Sequence, residues 1–134
     1  MDPTFTHVAI LARDIERAAA FYGRYARLVE VHRRTEHGVT VVWLGERGRE
    51  RELVIVLIGA PHADVVEPAP LAHLGYAVES REEVDRLAEW ARSESILVDP
   101  PRDAGPIVGY YCIVRDPDGN LVEFSFGQSL GEPA

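Results

Sequence analysis

Three side chains with metal-ligating chemistry stand where the surrounding pattern is apolar: His7, His73 and Glu123. His73 follows His7 by 66 positions, and Ser80 follows Asp14 by the same interval, so each histidine precedes a helix-capping residue by seven. Glu123 interrupts the run Leu121-Val122-Glu123-Phe124, where an unpaired buried carboxylate would be costly and a cation would offset the charge. Two imidazoles and one carboxylate with open coordination positions suit one divalent ion (Fe, Mn, Ni, Co or Zn), and spacing does not choose among them. A single strand histidine is usually an ordinary hydrogen-bonded residue. The repetition of the pattern favours ligation, with Glu123 the candidate catalytic carboxylate as well as a ligand.

These residues have to be positioned by strands. Thr6 to Arg13 alternates, with His7, Ala9 and Leu11 on one face, and a helix follows from an Asp14 cap with Ile15, Ala18, Ala19, Tyr22 and Tyr25 at helical spacing. Strands are expected over Val29 to Thr35, Thr40 to Leu44 and Leu53 to Ile58, with the charged stretch Gly45 to Glu52 as a solvated loop. The order repeats. Leu71 to Val78 alternates with His73, Gly75 and Ala77 on one face, Ser80-Arg81-Glu82-Glu83 fits a capping box, and Val84, Leu87, Ala88 and Ala91 form the second helical stripe. Strands follow at Ile96 to Asp99, Gly109 to Arg115 and Leu121 to Phe126. The closing strands align at an offset of 68, which sets Ile55 against Glu123, or Val56 after a one-residue shift.

The expected architecture is α+β: two βαβββ modules forming one curved mixed sheet around a cavity, in a single domain over 1–134. Module 1 covers about 5–59, a connection about 60–70, module 2 about 71–127, and a mobile polar tail 128–134. The turn Asp116-Pro117-Asp118-Gly119-Asn120 sets Arg115 opposite Leu121, which puts Ile113 across from Glu123 and Tyr111 across from Ser125. Tyr111 and Ser125 are therefore the candidate substrate contacts, whereas Tyr110 and Cys112 point away. His32, His37 and His62 lack an equivalent in the other half and read as surface or strand-end residues. Cys112 reads as a small buried apolar residue, and Trp43 and Trp90 as core or interface.

Composition narrows the chemistry. One cysteine allows neither an internal disulfide nor a thiolate cluster within the chain. All fourteen basic residues are arginine, which removes Schiff-base chemistry and a lysine phosphate loop. A formal charge of −8 with dispersed arginines argues against a nucleic-acid partner, and the apolar runs are too short for a membrane span. With no basic-then-apolar leader pattern, the expected location is cytoplasmic.

The assembled motifs resemble the vicinal oxygen chelate superfamily of glyoxalases, bleomycin resistance proteins and extradiol dioxygenases. The likeness rests on Thr6-His7-Val8-Ala9-Ile10 leading into the first helix, on Ala72-His73-Leu74-Gly75-Tyr76, and on Asp116-Pro117-Asp118-Gly119-Asn120 with Glu123 seven residues after Asp116. It implies that His7, His73 and Glu123 occupy the family's ligand positions. The glutamate that glyoxalase I commonly adds is replaced by Ile55 or Val56. Fosfomycin-resistance members typically use a lysine, absent here, and a cavity tyrosine where this chain has Ile113. Tyr111 is a loose match to the extradiol tyrosine. The resemblance implies a metal-dependent enzyme for a small oxygen-chelating substrate, of lyase, isomerase or ring-cleaving type; the alternative is a non-catalytic antibiotic-binding protein, although such members generally lack the triad. It also implies a homodimer, each site drawing its ligands from one chain or combining His7 of one chain with His73 and Glu123 of the other.

Overall fold

Strand β1 (His7–Ala12) opens a βαβββ unit. Asp14 Oδ1 accepts from the backbone N–H of Arg17 at 3.1 Å and so caps helix α1 (Ile15–Tyr25), whose Ala18, Phe21, Tyr22 and Tyr25 are buried. Strands β2 (Val29–Glu36), β3 (Val39–Glu46) and β4 (Arg49–Gly59) complete a mixed sheet in the order β1-β4-β3-β2, with β1 parallel to β4. Alternation sends Val42, Leu44, Ile55 and Leu57 to the helix-covered face and Val41, Trp43, Val54 and Val56 to the other. This is a computed structural model. It describes residues 1–64, 67 and 71–129, in two compact units, Met1–Val65 and Val66–Ala134. Parts of the expected connection (65, 66 and 68–70) and tail (130–134) lie outside the described residues.

The second unit repeats the plan with β5 (Leu74–Ala77), α2 (Arg81–Ser93), β6 (Leu97–Asp103), β7 (Tyr110–Arg115) and β8 (Leu121–Phe126), in the sheet order β5-β8-β7-β6. Ser80 Oγ caps α2 by accepting from Glu83 N–H at 3.1 Å. Val84, Leu87, Ala88 and Ala91 pack the helix onto a face that includes Cys112, Val114, Val122 and Phe124, all of them buried. Among the described residues no helix is long and apolar enough to cross a membrane. Two βαβββ modules of mixed sheet and helix are the α+β architecture expected.

Three boundaries differ from expectation. The charged stretch Gly45 to Glu52 is not a loop: β3 runs to Glu46 and β4 starts at Arg49, leaving Arg47-Gly48 as the turn, with Gly48 at φ 82°. Charge does not oppose a strand that projects into solvent, where Arg49 pairs with Glu52 at 2.7 Å and with Glu46 at 3.8 Å. Strand β6 likewise continues through Pro100-Pro101 to Asp103, because an edge strand with register shifts tolerates prolines that a central one would not. Strand β5 begins only at Leu74, so His73 sits at its threshold while His7 is the first residue of β1.

Candidate metal centre

The hairpin turn sets the register on which the site depends. Asp116, buried, accepts from the backbone N–H groups of Asp118 and Asn120 and from Asn120 Nδ2, each at 2.9 Å, and Gly119 takes φ 90°. With the turn locked, Arg115 pairs with Leu121, Ile113 with Glu123 and Tyr111 with Ser125, as expected; a slip of one residue would turn Glu123 into the helix-packed core.

Glu123 occupies β8, an inner strand, between Ile113 on β7 and Gly75 on β5, on the face opposite α2. It is 8% exposed and Ser125 is 2% exposed. Among the described residues its carboxylate receives one long hydrogen bond, 3.4 Å from Gln128 Nε2 to Oε2. Gly75 leaves the space beside it open, since a Cβ there would lie 3.5 Å from Oε2. A largely buried carboxylate with one weak donor, beside a residue that has no side chain, fits a ligand to a cation.

The histidines are prepared in the same way. His73 Nδ1 lies 2.8 Å from the Leu71 carbonyl, which can only accept, so Nδ1 carries the proton and Nε2 presents the lone pair. Leu71 is at φ 69°, the turn that brings its carbonyl to the ring. His7 Nδ1 lies 2.8 Å from Thr6 Oγ1, again leaving Nε2 as the outer nitrogen. Both rings are exposed. His73, Glu123, Tyr111 and Ser125 belong to the second unit, and His7 to the first. Within either unit, among the described residues, no group of three His, Cys, Asp or Glu side chains is gathered.

Tyr111 is 7% exposed, and its hydroxyl accepts from Arg102 Nε at 2.9 Å and Nη2 at 2.6 Å. Arg102 was hidden in the sequence: simple alternation from Asp99 would send it to the helix face, but the register shift after Asp99 pairs it with Tyr111. Gln128 was hidden too, as the first residue of the expected tail. Gly127 at φ 79° turns the chain back, and Gln128 Nε2 donates to the Val108 carbonyl at 3.2 Å as well as to Glu123.

Other expectations divide. His37 occupies the β2–β3 turn at φ 51° and His62 is exposed, both at the surface. His32 is not a strand-end residue: it is half-buried within β2, with its ring 4.7 Å from that of Trp43, while Arg34 lies 5.9 Å from the same indole. Trp43 is half-buried on the open face, outside the core beneath α1. Cys112 is fully buried, and burial first, with the charges of Asp85 and Glu123 adding, pushes its thiol up to about 12. It is no nucleophile.

Register also decides the equivalent of Glu123. Ala9 on β1 pairs with Val56 as Gly75 on β5 pairs with Glu123, so the counterpart is Val56 and the offset of 68 is one too many. Ile55 faces the helix side, buried. The first unit thus carries valine where the second carries glutamate.

A family model for the Glyoxalase/Bleomycin resistance protein/Dioxygenase superfamily matches residues 4–124. The chain belongs to this superfamily. The uncharacterized protein PA2024 of Pseudomonas aeruginosa is 40% identical over 131 residues, 98% of this chain and 94% of that protein. Among solved structures, the glyoxylase/bleomycin resistance protein/dioxygenase domain from Frankia sp. EAN1pec superposes with TM-score 0.75 at 21% identity, covering 98% of this chain and 96% of that one. A mutant of the fosfomycin resistance protein FosX from Listeria monocytogenes, complexed with Mn(II) and dihydroxypropylphosphonic acid, superposes with TM-score 0.73 at 20% identity, covering 97% and 96%. At such identities the superfamily neighbours establish the fold.

Proposed function

We propose that the protein is a divalent-metal-dependent enzyme of the superfamily, working as a homodimer on a small substrate that presents two adjacent oxygens, with lyase, isomerase or ring-cleaving chemistry. His7, His73 and Glu123 would hold the metal through two imidazole Nε2 atoms and a carboxylate oxygen. The observation that carries this reading is Glu123, 8% exposed, with one 3.4 Å donor among the described residues and the bare Cα of Gly75 beside it. A divalent cation there would polarise the paired substrate oxygens and offset negative charge that develops on them. FosX, of the same fold, was crystallised with Mn(II), which supports the choice of ion class.

The chain's own groups have separate tasks. Leu71 and Thr6 fix the ring orientation of His73 and His7, Gln128 restrains Oε2 of Glu123, and Tyr111, whose oxygen already accepts from Arg102, keeps its hydroxyl hydrogen to donate to substrate. Ser125 lines the same row. Val56 contributes no fourth carboxylate, so this chain lacks the additional ligand that its resemblance to glyoxalase I would call for.

The open face of the first unit favours a second reading. Trp43, Val56 and the exposed side chains of Leu11 (42%) and Ile58 (40%), flanked by His32 and Arg34 on β2, form a largely apolar sheet surface suited to holding an aromatic molecule without chemistry. Metal analysis of untagged protein, followed by calorimetric titration with Mn(II), Ni(II), Zn(II) and Fe(II), separates the two. One ion per chain, lost in His7→Ala, His73→Ala and Glu123→Ala alike, supports the enzyme. No binding of any of the four leaves the sequestering protein.

A further inference from the structure

The acids of this chain outnumber its bases by 22 to 14, and its surface arginines commonly have carboxylates to hand: Arg33 with Glu16 and Glu30, Arg49 with Glu46 and Glu52, Arg81 with Asp103. Arg102 does not. Among the described residues no carboxylate lies within ion-pair distance of its guanidinium, although Asp99 on the same strand adds a weak attraction. Two of its five N–H groups are spent on the Tyr111 hydroxyl, and Tyr111 is itself almost fully buried. The side chain is therefore exposed yet pinned, with its remaining donors available and much of the entropy of holding them already lost. A planar guanidinium held in that way suits the paired oxygens of a carboxylate or phosphonate.

Its place in the sheet says where such an anion would lie. Arg102, Tyr111 and Ser125 form one row across β6, β7 and β8, and the next row is Asp99, Ile113 and Glu123. Arg102 and Glu123 thus share a face, two strand spacings across and one row along, about 12 Å apart at the backbone. We propose that Arg102 is a specificity residue: it binds an anionic group at the far end of a substrate whose paired oxygens are held at Glu123, so the substrate is a short oxygen-chelating acid. The Glu123 end of this assignment rests on the metal reading above; the Arg102 end rests on its own geometry. A residue that merely braced Tyr111 would not tell charged from neutral ligands.

The test uses two probes with one chelating head. Succinomonohydroxamate carries a carboxylate two methylenes from its hydroxamate, and acetohydroxamate carries none. On Mn(II)-loaded wild-type protein the charged probe should bind at least about tenfold tighter by calorimetry. In Arg102→Met, with folding verified by circular dichroism, that advantage should vanish while acetohydroxamate affinity stays put, and Arg102→Lys should keep part of it. No preference in the wild type, or the same preference in Arg102→Met, overturns the proposal. Should the wild type take up no Mn(II), the metal reading fails and Arg102 is judged alone. Succinate titrated into metal-free wild-type protein should then shift the Arg102 Nε–H resonance, assigned through bonds, in a saturable way. An unmoved resonance overturns the proposal in that case too.

Discussion

Replacing Glu123 by leucine should raise stability without metal and lower it with metal, a reversal that a purely structural carboxylate would not give. The side chain is 8% exposed, its neighbours Ile113 and Gly75 are apolar, and its one hydrogen bond among the described residues is 3.4 Å long. Leaving such an acceptor unsatisfied costs about 1–3 kcal/mol. Leucine fits the space left open by Gly75, and Gln128 Nε2 keeps its 3.2 Å bond to the Val108 carbonyl, so the substitution orphans no donor. In EDTA, Glu123→Leu should therefore be more stable than wild type by about 1–3 kcal/mol. At metal concentrations a thousandfold above the dissociation constant the wild type gains about 4.1 kcal/mol and the variant gains nothing. The order then reverses, with wild type ahead by about 1–3 kcal/mol, the difference between those two figures. Urea melts of both proteins at pH 8, in EDTA and in saturating Mn(II), provide the four numbers. If Glu123→Leu is the less stable protein in EDTA, the carboxylate is satisfied without a cation and the reasoning fails. If Mn(II) moves both proteins equally, the ion binds elsewhere.

Gln128→Leu removes the donor that restrains Glu123 and should raise the dissociation constant for Mn(II) by about tenfold in calorimetry; an unchanged value would make the 3.4 Å contact incidental. Cys112, fully buried with its thiol pushed up to about 12, should resist iodoacetamide at pH 8 in folded protein and react only in urea, as followed by mass spectrometry; rapid native labelling would contradict its placement beneath α2. Gly45→Ala would set a Cβ 2.5 Å from the Glu50 carbonyl at the β3–β4 irregularity and should lower stability by about 1–3 kcal/mol in a urea melt; a neutral result would mean that the bulge relaxes freely.

What could be read from the residues alone was whatever depended on period and on turn chemistry. Alternation identified the open faces of β1 and β5, the caps at Asp14 and Ser80 located both helices, and the Asp116 turn fixed the pairing of Ile113 with Glu123. These are local rules, satisfied within a few bonds. What escaped depended on defects in the period or on chain reversal. Arg102 reached the open face only because β6 carries register shifts around its two prolines, and Gln128 reached Glu123 only because Gly127 turns the chain back over Val108. The hairpin Glu46 to Arg49 escaped for another reason: a run of charges looks like a loop whenever a strand extends beyond the body that would bury it.

The duplicated architecture makes one asymmetry informative. Position for position, Val56 answers to Glu123 and Trp43 to Ile113, since β1, β4 and β3 pair as β5, β8 and β7 do. Were the open faces only surfaces to be covered, both closing strands could keep aliphatic residues there, as the first unit does with Val56 and Ile58 on β4. The second unit places a buried carboxylate and a buried serine on β8, each a worse choice for packing than the aliphatic side chains of β4, while both faces carry an arginine, Arg34 beside Val41 in the first and Arg102 on the Tyr111 hydroxyl in the second. A carboxylate and a serine that weaken the closing strand in one copy and are missing from the other are not demanded by the fold, which the first unit builds without them. On the function proposed above, that carboxylate and the guanidinium of Arg102, which has no carboxylate partner among the described residues, would hold a cation at one end of a ligand and an anion at the other.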